Sequence, residues 1–368
     1  MNLDELRQRL DSLDHQLLQL IADRQATISE IARVKHSSGY PLRDYRRERE
    51  VVLGVRNRAV ELGVSPDLAE SVVRLLIRYS LTTQERASVA ANGSGSGQRA
   101  LVIGGGGKMG RWFGQFLRSQ GFEIEVADPR LSDDPRAITD WRELPLTHDF
   151  IVVAAPLGAT NTILHELAER RPGGIVFDLG SLKSPLRSGL DALRNAGVAV
   201  CSLHPMFGPD TELLTGRHVI FIDLGHPEAL KRTRALFAAT MAEQVIMHLE
   251  EHDRLIAFVL GLSHAVNIAF LTALAESGES APRLVQLSST TFDAQFDIAS
   301  KVAEENPELY YEIQRLNDYG IESLKAFARA MDSVRDAVFS GDQARFTTLM
   351  RRGYEYVQGR RRAFEQCI

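Results

Sequence analysis

A chain of 368 residues is too long for one ordinary core and is expected to divide into two or three domains. Its 44% apolar and 25% charged residues suit a soluble globular protein, and a net charge of −5 supplies no long-range pull toward nucleic acid or acidic lipid, so any basic site must be local. Cys201 and Cys367 lack metal or redox spacing and read as reduced buried thiols, and the N-terminus, charged from Asp4 onward, has no apolar secretory segment, which points to the cytoplasm.

Residues 3–36 place Leu3, Leu6, Leu10, Leu13, Leu17, Leu20, Ile21, Ile28, Ile31 and Val34 at helical spacing, with no Gly or Pro before Gly39. At about 1.5 Å per residue this helix is roughly 50 Å long, too long for a compact domain of this size, about 30 Å across. It needs a partner of similar length, most simply a second copy of itself. Helices over 43–62 and 66–88 follow, separated by the break at Gly63 to Pro66. Ser88 to Gln98 is small, polar and glycine-rich, which reads as a flexible linker.

The long helix carries an electrostatic puzzle. Arg24 and Lys35 fall within roughly 20° of each other, on a face shared with Leu17, Ile21, Ile28 and Ile31. Arg7 lies roughly 100° away around the axis and can serve the pocket of a paired chain more easily than its own. Too few carboxylates share that face to neutralise these cations, so a dicarboxylate ligand would complete it. Asp44, Arg47 and Glu48 share one side of the second helix, and Ser80 and Gln84 lie four apart on the third.

From Gln98 short β-branched runs alternate with helical stretches. Strands are expected near 100–104, 123–128, 149–155, 174–179, 198–203, 218–223 and 244–248, forming a mostly parallel sheet covered on both faces. Gly105, Gly107 and Gly110 fit G-x-G-x-x-G between the first strand and a helix over 109–119, the context in which a backbone turn, with Lys108 and Met109 inside it, cradles a dinucleotide. Asp128 ends the next strand and can accept from a ribose 2′-hydroxyl, favouring NAD over NADP, while Arg130 weakens that preference. Polar or Pro-containing clusters at later strand ends are Ala155-Pro156, with Pro156 on the cofactor side, Asp178 to Lys183, and His204 to Pro209. His204 is placed to accept a proton beside the carbon that loses hydride, with Ser181 holding it or sharing its hydrogen bond. From Glu251 the chain is wholly helical. Its apolar stretch Ala257 to Ala275 carries Ser263, His264 and Asn267 and reads as a buried core or interface helix, with His264 a candidate substrate contact. No metal-ligand spacing is present.

The motifs GGGGKMG, DLGSLK, LHPMFGP and EEHD followed by a long helix resemble the prephenate dehydrogenase family along nearly all of residues 99–368. The resemblance implies that His204 hydrogen-bonds the 4-hydroxyl of prephenate while NAD takes hydride from C4 and the ring carboxylate leaves as CO2. Residues 3–88 resemble the all-helical chorismate mutase family. There the resemblance implies that Arg24 and Arg47 hold substrate carboxylates, with Arg7 doing so from the partner chain. Lys35 and Gln84 contact the ether oxygen, Asp44 and Glu48 lie on the ring-hydroxyl side, and Ser80 helps hold a carboxylate. The organisation expected is a helical chorismate-mutase-like domain over 1–90, a linker over 91–98, an α/β Rossmann NAD-binding domain over 99–250, and an all-α substrate and dimerisation domain over 251–368, together a homodimeric bifunctional enzyme.

Two positions depart from the dehydrogenase pattern. Lys301 stands where an arginine usually precedes the proline of ENPELYYE, and Asp293 stands where a second arginine is usual. Lysine keeps the charge but loses the two-pronged fit to a carboxylate. Prephenate and its 4-amino-4-deoxy analogue are therefore alternative substrates. A single dehydrogenase carrying a dimerising, effector-binding helical module is a second alternative, and a dehydrogenase of an unrelated 2-hydroxy acid, against which LHPMFGP speaks, is a third.

Overall fold

The computed structural model describes residues 2–38, 40, 43–131 and 138–366. Cys367 lies outside these residues, and Cys201 is a buried thiol on the sheet.

Three helices come first, α1 (Leu3–Ser38), α2 (Tyr45–Glu61) and α3 (Pro66–Ala91). Asp44 caps α2 by accepting from Arg47 N, and Ser65 caps α3 ahead of Pro66 at its first turn. The 36 residues of α1 span about 54 Å. Its apolar stripe stays open in the single chain: Leu10, Leu13 and Leu17 are each more than half exposed.

The sheet follows: β1 (Arg99–Ile103), α4 (Lys108–Ser119), β2 (Glu123–Ala127), β3 (Phe150–Val153), α5 (Leu157–Arg170), β4 (Ile175–Asp178), α6 (Arg187–Asn195), β5 (Val200–Pro205), β6 (His218–Ile222), α7 (Pro227–Ala235) and β7 (Glu243–Met247). The strand order is β2-β1-β3-β4-β5-β6-β7, parallel throughout except for β5 against β6. Strands β3, β4 and β5 are buried along their whole length, which is why they read as unbroken apolar runs. Phe113, Phe177, Phe221 and Phe237 fill the core on the face covered by α4 and α7. Strand β5 runs two residues further than expected, so His204 stands on the strand itself and not in the loop beyond it.

The rest is helical: α8 (Leu249–Ile256), a π-helical turn over Ala257–Leu262, α9 (Ser263–Glu276), α10 (Ala281–Gln286), α11 (Thr290–Ala303), α12 (Pro307–Arg315), α13 (Gly320–Phe339) and α14 (Gln343–Gln366). The run from Leu249 to Glu276 is the apolar segment expected as a core or interface helix. Only 22% of its most apolar window is buried, and Phe258 and Val259 are about half exposed, so it is not the core of this chain.

The chain divides into two compact units, residues 1–181 with 186–248, and 182–185 with 249–368. The helical domain and the sheet therefore belong to one unit, and the expectation of a flexible linker is corrected. Gly95 N donates to Gln120 O at 3.0 Å. A Cβ on Gly93 would stand 2.4 Å from Gln120 O, and one on Gly95 2.2 Å from the Phe122 ring. These glycines permit close backbone approach instead of supplying slack.

Glu85 of α3 fastens the junction. It is 4% exposed and accepts from Leu214 N at 2.7 Å and from Met241 N. Burial pushes its carboxyl above the ordinary 4.5, against the pull of the two amides. Replacing Glu85 with alanine strands both donors and is expected to cost about 2–4 kcal/mol, read as a lowered urea midpoint. Because the folded state holds the Glu85 proton more tightly than the unfolded chain, this contribution is largest below the unfolded pKa and shrinks as pH rises through the raised folded value. The gap between wild type and Glu85→Ala should widen as pH falls from neutral toward 4.5.

Candidate active sites

In the helical domain a cavity of about 500 Å³ lies between α1 and α3. Lys35 and Gln84 both line it, together with Arg33, Tyr40 and Thr83. Gln84 is 5% exposed and its Oε1 has no hydrogen-bond partner among the described residues. Since an amide can flip, it presents an uncommitted hydrogen-bonding end. One turn earlier on α3, Ser80 Oγ accepts from Arg24 Nη1 at 2.6 Å, and the same nitrogen donates to Leu76 O at 3.2 Å. The helical spacing of Arg24 and Lys35 along α1, and of Ser80 and Gln84 along α3, thus brings four of the predicted groups to one inter-helix seam.

The other four do not join them in the single chain. Arg7 is 67% exposed, 3.5 Å from Asp4. Arg47 is 70% exposed and turned to Glu50 at 3.4 Å. Asp44 is used as the cap of α2. Glu48 is held by Arg43 through two bonds of 2.8 and 3.0 Å, and Arg43 in turn donates to Thr215 Oγ1 of the sheet domain at 3.0 Å. The expectation that Asp44, Arg47 and Glu48 face one pocket with Lys35 is corrected for this chain. Local partners, a cap and two ion pairs, claim all three side chains.

The glycine turn joins β1 to α4 at the point where the strand order reverses, between β1 and β3. Gly104 has φ +82°, and a Cβ there would meet Ala154 and Ala155 backbone at 2.8 Å. A Cβ on Gly110 would stand 2.4 Å from Gly104 O, and one on Gly105 2.5 Å from Val126. The bare turn, capped by Gly107 and opening on exposed Lys108 and half-buried Met109, therefore fits a pyrophosphate at the α4 N-terminus. Pro156 stands at the neighbouring strand end as the cap residue of α5. Asp128 departs from expectation. Its carboxylate is turned inward, 2% exposed, and taken by Gly106 N and Arg130, which also hold it below the usual carboxylate range. Sequence reasoning missed Gly104 and Gly106; the positive φ and the amide-to-carboxylate bond that single them out are invisible in a run of four glycines.

His204 is 3% exposed and opposes Ile220 of β6. The loop that follows it packs on the glycine-turn helix: the Phe207 ring lies 4.9 Å from Trp112, and Trp112 Nε1 donates to Thr211 O at 2.9 Å. Ser181 is half-buried in the loop after β4.

In the second unit His264 begins α9 and stacks on Tyr310 with ring centroids 4.2 Å apart. Its Nδ1 is buried without a partner among the described residues, and burial pushes the imidazole below its ordinary pKa, which favours the neutral form. Lys301 is exposed on α11. Buried Asp253, the last residue of the EEHD motif, to which the sequence assigned no role, accepts from Lys183 N, Ser184 N and His252 Nδ1 at 3.0, 2.5 and 2.6 Å. It pins Lys183 and Ser184 to α8.

Residues 6–85 match the family model of chorismate mutase type II, residues 117–246 that of the prephenate dehydrogenase nucleotide-binding domain, and residues 248–352 that of the prephenate dehydrogenase dimerization domain. Fold and matches define a helical mutase joined to a dehydrogenase with a nucleotide-binding domain. The chain belongs to the fused chorismate mutase/prephenate dehydrogenases. It is 28% identical to a T-protein of Enterobacter agglomerans over 94% of this chain and 90% of that one. It is also 28% identical to a 4-amino-4-deoxyprephenate dehydrogenase of Streptomyces pristinaespiralis, over 68% of this chain and 88% of that one. The crystal structure of prephenate dehydrogenase from A. aeolicus with hydroxyphenyl propionate and NAD+ shares the fold, with a TM-score of 0.58 at 20% identity, covering 72% of this chain and 99% of that one.

Proposed function

We propose that the chain is a cytoplasmic homodimer that rearranges chorismate to prephenate in its helical domain, then oxidatively decarboxylates prephenate to 4-hydroxyphenylpyruvate, a step toward tyrosine. The observation that carries the first activity is the α1–α3 cavity, where Lys35 and the uncommitted end of Gln84 line one wall set beside the Arg24–Ser80 pair. The rearrangement is a single pericyclic step that needs no acid, base or nucleophile. The pocket has only to fold a dianion into a compact chair and stabilise charge on the breaking C–O bond, which fixed cations and a donor to the ether oxygen do. The open leucine stripe of α1 suits pairing with a second α1, which would carry Arg7 to the neighbour's pocket.

In the dehydrogenase half NAD supplies the hydride acceptor. His204 takes the proton of the 4-hydroxyl, Ser181 orients it, and His264 and Lys301 hold the substrate. Aromatisation of the ring drives loss of CO2, so alignment and one proton acceptor suffice. A second reading takes 4-amino-4-deoxychorismate and its prephenate analogue through the same two steps. The acid at Asp293, the lysine at position 301 and the likeness to the Streptomyces enzyme support it. Side-by-side rates of NADH formation on the two prephenates decide between them. A higher kcat/KM on the 4-amino compound would replace the first reading by the second, and turnover of neither would remove both.

A further inference from the structure

Four N–H groups converge on the Asp128 carboxylate. Oδ1 accepts from Arg130 N at 2.9 Å and Arg130 Nε at 3.0 Å, while Oδ2 accepts from Gly106 N at 2.9 Å and Arg130 Nη2 at 2.8 Å. A carboxylate offers about four lone-pair sites, so these donors fill it. With its side chain 2% exposed, Asp128 acts as an internal counter-ion and a clamp on the glycine turn.

What faces solvent at the end of β2 is the Arg130 guanidinium. It is 63% exposed, and its Nη2 lies 3.3 Å from where a Gly107 Cβ would stand, over the first turn of α4. Arg111 adds a second exposed cation beside the same turn, donating to Gly106 O at 2.5 Å. In a doubly wound sheet the adenosine ribose of a dinucleotide settles beside the first glycine turn, near the end of β2. An open aspartate there repels a 2′-phosphate. A filled aspartate beneath an exposed guanidinium does not, because the pair is close to neutral and the planar fork suits a phosphate.

We propose that Arg130 sets the cofactor selectivity of the dehydrogenase half, and that the chain binds NADP+ as well as NAD+. This rests on the dinucleotide reading of the glycine turn and is independent of which prephenate is the substrate. The test is calorimetric titration of the full chain with each dinucleotide, without substrate. Wild type should bind the two within about tenfold of each other. Arg130→Ala should weaken NADP+ by about 10- to 100-fold, the loss expected for charge-assisted hydrogen bonds, while NAD+ moves less than about threefold. Arg130→Lys should recover part of the loss, since it keeps the charge without the fork. The exposed position makes misfolding a minor risk, and an unchanged thermal midpoint checks it. A wild-type preference for NAD+ above tenfold, or an Arg130→Ala ratio equal to wild type, overturns the proposal alone. Binding of neither dinucleotide overturns the glycine-turn reading with it.

Discussion

Replacing His204 with alanine should lower the dehydrogenase kcat by about 10²-fold or more while chorismate turnover stays at the wild-type level, as expected for loss of a proton acceptor. The site makes this separation possible. His204 lies one residue before the end of a fully buried strand whose loop packs on Trp112 of the glycine-turn helix, whereas the mutase cavity lies on α1 and α3. The two domains share one compact unit held by Glu85, so intact mutase activity doubles as proof that the unit still folds. Stopped formation of NADH with normal loss of chorismate is the expected pair of readings. Equal loss of both would mean that the variant unfolds the unit or that one site serves both reactions.

Much of this architecture was legible because it follows from periodicity and burial. Seven strands stood out as short apolar runs since a covered parallel sheet tolerates no polar face, and α1 stood out because its leucines repeat at helical spacing. Arg24 with Lys35, and Ser80 with Gln84, could each be paired from spacing along one helix, since regular helices fix where side chains point, while the meeting of the two pairs was implied by the resemblance to the chorismate mutase family. The remainder depends on contacts made across the fold. Gly93 and Gly95 have the composition of a linker, yet they are small because Gln120 and Phe122 approach them. Glu85 reads as one more charge on a solvated helix until Leu214 and Met241 point their amides at it. Asp128 has the right position to receive a ribose, but its neighbour two residues on folds back over it. Arg7, Arg47 and Glu48 were legible by type and not by direction: the single chain turns them to solvent or to local partners.

Lys35→Ala should produce the opposite pattern to His204→Ala: mutase kcat/KM lower by about 10²- to 10³-fold, the cost of removing one preorganised donor to developing charge, with dehydrogenase activity unchanged. Arg7→Ala should also cripple the mutase, and the pair together tests the proposed exchange of residues between chains. If Arg7 completes the neighbour's pocket, a hybrid dimer of one Lys35→Ala chain and one Arg7→Ala chain carries both lesions in one pocket and none in the other. Random reassortment of equal amounts makes about half the dimers hybrids, so about one quarter of all pockets regain full function. Mixing two nearly inactive preparations under conditions that exchange subunits should therefore restore roughly that fraction of wild-type turnover. No recovery after verified exchange would place Arg7 with the pocket of its own chain, and the open leucine stripe of α1 would then need a different partner from a second α1.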